Sequence, residues 1–261
     1  MRLFGIPAGD ADVVAVVRRG PSGWCHLGRW DVAGPSYEPG AWLHGALYPQ
    51  RCDLSPDGRW FLGFVVRGAH ADWAPGNTYV VLSRLPWLTA LAAWGTGGTW
   101  SRGACFAEAG VDEVGAPEVG DVRPLGFGLA VTRVASFAVE RRRGWHESED
   151  TPPRTEHDAW DERRAEHVRM QKRQPGGPAM LTVAGFYAAF RSGPPGRVEY
   201  ALDGAPLPEV QWADWSRDGR LLVATDAGRL EIRDEKGTAW ASDLSTLTPD
   251  PQPAPPEASR W

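Results

Sequence analysis

Three of the six histidines, His146, His157 and His167, fall in one charged stretch, residues 144–177, beside Glu147, Asp158 and Glu166. Imidazole and carboxylate are ordinary ligands for a transition metal. The spacing works against that chemistry. His157 and His167 stand ten residues apart, which on a helix separates them by about 15 Å along the axis. They read as solvated surface histidines, and no metal site is expected. His70 and Asp72, in the loop sequence AHADWAPGN, carry the same reading. Cys25, Cys52 and Cys105 are odd in number and lack metal-ligand spacing, so they read as buried thiols in a reducing compartment. The run GTGGTW (residues 95–100) has the composition of a phosphate loop. Such a cradle needs a following helix, and TWSRGACF reads as turn and strand instead. No G-x-S-x-G elbow is present. Glu147, Glu149 and Asp150 lie in a wet stretch that leaves carboxylates at ordinary acidity. No catalytic residue and no cofactor is assigned.

Tryptophan is the remaining chemical signal, at 14 of 261 residues several times its usual frequency. Trp30, Trp60, Trp212, Trp215 and Trp240 lie in or beside strand-like sequence and are expected between packed sheets. Trp73, Trp145 and Trp160 lie in loop or charged sequence. Exposed aromatic rings anchor protein interfaces and stack on sugars. These three, with His70, are therefore the candidate partner-binding residues.

Composition says what must position them. Gly (31) and Pro (23) together make about a fifth of the chain, above average usage but below a disordered composition. Each costs roughly 1 to 3 kcal/mol inside a helix, so many short strands are expected rather than long helices. Ile and Lys occur twice each and Asn once, the pattern of a GC-rich genome, so the arginine excess says nothing about phosphate. A net charge of −5 argues against nucleic acid as partner. No apolar run approaches a membrane span, and Asp10 and Asp12 interrupt any signal-peptide core. A soluble, cytoplasmic, monomeric protein with no membrane partner is the expectation.

Residues 52–66, CDLSPDGRWFLGFVV, return in altered form as residues 213–227, ADWSRDGRLLVATDA. Asp53, Ser55, Asp57, Gly58 and Arg59 are matched by Asp214, Ser216, Asp218, Gly219 and Arg220, each 161 positions later. After the second copy, residues 221–225, 229–233 and 238–242 read as an antiparallel meander closed by tight turns. Around the first, residues 59–66 and 78–83 read as strands flanking a long loop. Residues 12–19 with 24–32, 127–134 with 136–143, and 180–191 with 196–202 read as further strand pairs. Two segments break the pattern. LPWLTALAAW (residues 85–94), apolar all round with an early Pro, reads as a buried helix of about two turns, with a strand as the alternative. Residues 155–173, with a Thr cap, acid first, base last and i,i+3 ion pairs, read as a surface helix. The end, TPDPQPAPPEASRW, reads as a disordered proline-rich tail.

The S-x-D-G-R turn resembles the one joining the first and second strands of a blade in WD40-like propeller repeats of the TolB type. The spacing of 161 is about four blade lengths. The resemblance covers about 30 residues in two places, with no Gly-His opening and no such turn near positions 95, 136 or 176. It implies an all-β protein: a single propeller of five to seven degenerate blades over residues 1–244, a charged helical insertion at 144–177, and a disordered tail at 245–261. The function implied is a non-enzymatic scaffold for a protein or peptide. The rivals are a lactonase-like hydrolase with a metal in its central channel and a carbohydrate-binding module.

Overall fold

A computed structural model describes residues 1–20, 23–67, 74–99, 103–107, 115–123, 125–131, 138–149, 166–187 and 198–261. Among the described residues the protein is all-β, 52% strand and 5% helix, in five antiparallel sheets of which none closes into a barrel. Sheet A is a meander of β1 (Arg2–Pro7), β2 (Val13–Arg19), β3 (Trp24–Asp31) and β4 (Ser36–His44). Sheet B holds the short β5 (Ala46–Leu47) and β6 (Asp53–Leu54), both paired to β7 (Trp60–Val66), then β8 (Thr78–Arg84) and β9 (Ala92–Gly95). Sheet C pairs β10 (Ala104–Ala107) with β12 (Gly128–Val131), and β11 (Val119–Gly120) joins the edge of sheet B. A five-residue helix, α1 (Ala138–Arg142), leads to sheet D: β13 (His146–Glu147), β14 (Glu166–Arg173), β15 (Met180–Tyr187), β16 (Val198–Leu202) and β17 (Ala205–Pro206). Sheet E repeats the meander with β18 (Val210–Trp215), β19 (Leu221–Thr225), β20 (Arg229–Asp234) and β21 (Gly237–Asp243).

The continuous apolar runs of β2 and β19 follow from how the sheets pack. Antiparallel sheets commonly keep one wet face; here the central strands bury both. Alternate residues of a strand point to opposite faces. In β2, Val14 and Val16 join a core with Trp212, Leu222 and Ile232 of sheet E. Val13, Ala15 and Val17 join a second core with Phe61, Phe64 and Leu82 of sheet B. In β19, Leu222 and Ala224 face sheet A while Leu221 and Val223 meet Met170, Leu181 and Tyr200 of sheet D. Ala104, Phe106 and Leu129 of sheet C complete the core of sheet B. The sheets therefore stack face to face in the order D, E, A, B, C. Inner strands touch from sheet to sheet: β16 on β18, β18 on β1, β1 on β6 and β6 on β10.

Several expectations need correction. Residues 85–94 are a turn and strand β9, not a helix. A strand buried on both faces is apolar all round, the signature that also marks a buried helix. Residues 166–173 are strand β14 rather than the end of a surface helix: Met170 is buried while Arg169 is exposed, a period of two. The rest of that helix, residues 155–165, lies outside the described residues. The described parts of the stretch 144–177 thus contribute two strands to sheet D. Strand β12 finds its partner in β10, and residues 138–142 are helical where a return strand is expected. The tail is also ordered, with a single 3-10 turn at Pro256–Ser259 and Ala258 fully buried. The pairs β2–β3, β7–β8, β15–β16 and the meander β19–β20–β21 form where the sequence places them.

Candidate functional site

The two repeated turns have one construction. In each, the Ser hydroxyl meets the Asp two residues on, Ser55 with Asp57 and Ser216 with Asp218. It also accepts backbone N–H groups: Arg59 at 3.2 Å and Trp60 at 2.9 Å in the first turn, Arg220 at 2.8 Å in the second. The glycine N–H donates to the serine carbonyl in both, at 2.9 Å from Gly58 and 3.1 Å from Gly219. The chain then reverses with φ of +71° at Gly58 and +84° at Gly219, a region a side chain disfavours. The turns join β6 to β7 and β18 to β19. They differ at the arginine. Arg220 pairs with Asp218 at 2.8 Å, whereas Arg59 lies over the Trp60 ring, 5.6 Å from its centre.

Two residues before each serine stands a buried aspartate. Asp53 Oδ1 accepts the Leu54 N–H and Arg143 Nη2, both at 2.9 Å; its Oδ2 accepts the Phe106 N–H at 2.9 Å and Arg142 Nη2 at 2.8 Å. Asp214 Oδ1 accepts the Trp215 N–H and Lys172 Nζ, both at 2.7 Å, and its Oδ2 accepts the Trp145 indole N–H at 3.2 Å. In both copies, then, the carboxylate binds the next residue's N–H and a cation from another segment. The first ties sheet B to sheet C and α1; the second ties sheet E to sheet D. Both carboxylates are nearly fully loaded with donors, as buried charge requires.

Glu140 of α1 is also buried. Burial pushes its carboxyl up to about 7, with Asp214 adding to the rise and Arg143 and Arg142 opposing it. Tyr200 is pushed well above its ordinary acidity, first by burial and then by Glu140 and Asp214. Glu140 Oε2 and Arg143 Nε and Nη1 have no hydrogen-bond partner among the described residues. No three His, Cys, Asp or Glu residues converge as metal ligands among the described residues.

A second constellation lies at the start of β7. Trp60 is buried beneath two guanidinium groups, Arg59 and Arg84, at 5.6 and 5.8 Å from its ring centre. The Trp261 ring lies 5.6 Å from it at an angle of 43°. Neither arginine forms an ion pair among the described residues. This is an aromatic platform bracketed by positive charge.

Of the four residues expected to bind a partner, Trp73, Trp160 and His70 lie outside the described residues. Trp145 is a correction. It is 2% exposed, in the core between sheets D and E, with its indole N–H on Asp214. Its charged neighbours in sequence suggest a surface, but they belong to a short strand whose backbone delivers the ring inward. Cys25 and Cys52 are buried free thiols, and burial pushes Cys52 up to about 12, which leaves it unreactive. Buried His26, between Tyr37 and Trp42, is held down at about 4, chiefly by burial and then by Arg18. Asp53 and Asp214 were legible as part of the repeat. Nothing in the sequence joins Trp60 to Trp261.

No family model and no curated protein matches the chain. Among solved structures, it is similar to an uncharacterised protein from Listeria monocytogenes EGD-e, at 13% identity and a TM-score of 0.31. The match covers 90% of this chain and 79% of that one. No helix is long and apolar enough to cross a membrane among the described residues.

Proposed function

We propose that this protein is a five-bladed, propeller-type scaffold that binds a protein or peptide without catalysing a reaction. Support for the blades comes from the order D, E, A, B, C, in which each central sheet buries both faces and its inner strand touches the next. Such stacking uses up the sheet faces, so recognition falls to strand ends, connecting loops and outer edges. The observation that carries the binding reading is the Trp60 platform, where an aromatic ring and two guanidinium groups without an ion pair among the described residues meet at a strand end. Tryptophan and arginine are the residue types that dominate interface hot spots. The molecule acts as a monomer in this reading.

A hydrolase reading draws on one observation, the buried Glu140 with its raised acidity constant near Asp214 and Arg143. Buried ion-pair networks that hold sheets together perturb acidity in the same way, and the hydrogen bonds of Asp53 and Asp214 run between sheets. Affinity purification from the native cell, followed by mass spectrometry, tests the binding reading. A stoichiometric partner is expected with the wild type. At least about tenfold less is expected with Arg59→Glu combined with Arg84→Glu, since hot-spot losses of about 2 kcal/mol or more are typical. Absence of any partner from the wild-type eluate would overturn it.

A further inference from the structure

Residues 245–261 leave β21 and pass over three sheets, held at two places. Leu244 is buried and Leu247 packs with the core between sheets A and E, where Arg18 Nη2 donates to the Leu247 carbonyl at 2.8 Å. Residues 248–253 are exposed, and Pro249, Pro251 and Pro253 keep them extended. The chain then returns to sheet B. Ala254 and Pro255 are half-buried, the turn at Pro256–Ser259 lies against β8, Ala258 is 0% exposed, and Trp261 reaches Trp60.

This second anchor is separable by construction. Among the described residues its backbone hydrogen bonds are internal, Ala258 N–H to the Pro255 carbonyl at 2.9 Å and Arg260 N–H to the Glu257 carbonyl at 3.1 Å. It adds no strand to sheet B, so it can leave without breaking a ladder. What holds it is a small residue filling a depression and an indole three residues on. The electrostatics are incomplete. Glu257 is exposed, and among the described residues neither it nor the guanidinium groups of Arg59 and Arg84 form an ion pair. A segment with the same two anchors and a carboxylate next to its tryptophan would satisfy charges that residues 254–261 leave open.

We infer that the Trp60 groove docks an extended, proline-bearing acidic segment of another protein with a tryptophan three residues after a small residue, and that residues 254–261 occupy it in cis as a displaceable competitor. This rests on the binding reading above and names its partner class. A short flexible tether holds its end at an effective concentration of about 1 mM. If the free segment binds with a Kd of about 0.1 mM, the cis copy is docked about nine-tenths of the time and weakens an outside ligand about tenfold.

The test uses the full chain and two fluorescein-labelled peptides, residues 247–261 and the same peptide with Ser259→Asp and Arg260→Glu. Trp261→Ala and, separately, Ala258→Gln release the cis segment while leaving Trp60 in place. Both variants, confirmed folded by circular dichroism, are expected to bind the peptides saturably and at least about tenfold more tightly than wild type. The acidic peptide should bind the tighter of the two, and that preference should vanish when Arg59→Glu and Arg84→Glu are added. Equal binding by wild type and both variants, or no saturable binding by either variant up to about 1 mM, overturns the inference. A partner captured equally by wild type and both variants would refute the groove while leaving the broader binding reading standing.

Discussion

Gly58 and Gly219 are where single atoms decide most. Each has positive φ, and a Cβ would also press on a neighbour: Val13 Cβ at 2.9 Å from Gly58, and the Pro175 carbonyl oxygen at 2.6 Å from Gly219. The backbone term alone is about 1–2 kcal/mol. Gly58→Ala and Gly219→Ala should each lower the melting temperature by at least about 2–8 °C at the usual 2–4 °C per kcal/mol for this size. An unchanged melting curve in both would show the turns to be built differently. Glu140 gives a prediction of opposite character. Its carboxyl is pushed up from about 4.5 to about 7, so the folded state holds the proton more tightly than the unfolded chain. Its stability contribution is present in full below the unfolded value and is lost as pH rises through about 7. The displacement is worth up to about 3 kcal/mol. Glu140→Gln should therefore gain on the wild type between pH 5 and pH 8, measured by denaturant titration at each pH. A parallel pH dependence in the two proteins would contradict the burial of this carboxyl.

At the scale of elements, the charged stretch and the tail show why local pattern misleads. In residues 166–173 the i,i+3 pair of Glu166 and Arg169 suits a helix, but it competes with burial of Met170 and with pairing to β15 across eight residue pairs. Exposed ion pairs contribute only a few tenths of a kcal/mol, so the ladder wins. The tail has little apolar surface of its own, yet Ala258 and Trp261 find matching ground on sheet B. Burying these two side chains contributes about 2 kcal/mol. Deleting residues 249–261 should then lower the melting temperature by about 4–8 °C. A truncated chain that melts with the full one would leave the tail undocked in solution.

Apolar cores between the sheets join them into one molecule. Gly5 illustrates the fit: a Cβ there would lie 2.6 Å from the Trp212 indole of sheet E. Trp212→Ala removes that indole from the core shared by sheets A and E, a loss of about 3–5 kcal/mol for a buried tryptophan. Because one core serves both sheets, amide exchange should accelerate in β1 and β2 as well as in β18 and β19. Faster exchange confined to sheet E would show that the sheets open independently.

The sequence by itself determined what depends on neighbours along the chain. Gly and Pro content pointed to many short strands, alternation and turn residues located the meanders, and S-x-D-G-R specified a turn with positive φ at its glycine. The matched Asp53 and Asp214 were visible too, since a repeat reports itself. Only tertiary structure decided which cation each aspartate meets, because Arg142, Arg143 and Lys172 lie far off in sequence and are brought in by packing between sheets. Tertiary structure likewise decided that residues 85–94 are not a helix and that Trp145 faces inward. A strand buried on both sides carries no periodic signal, and a ring's direction depends on the strand beneath it. The pairing of Trp60 with Trp261 was the least legible of all, since it joins residues two hundred positions apart through contact alone.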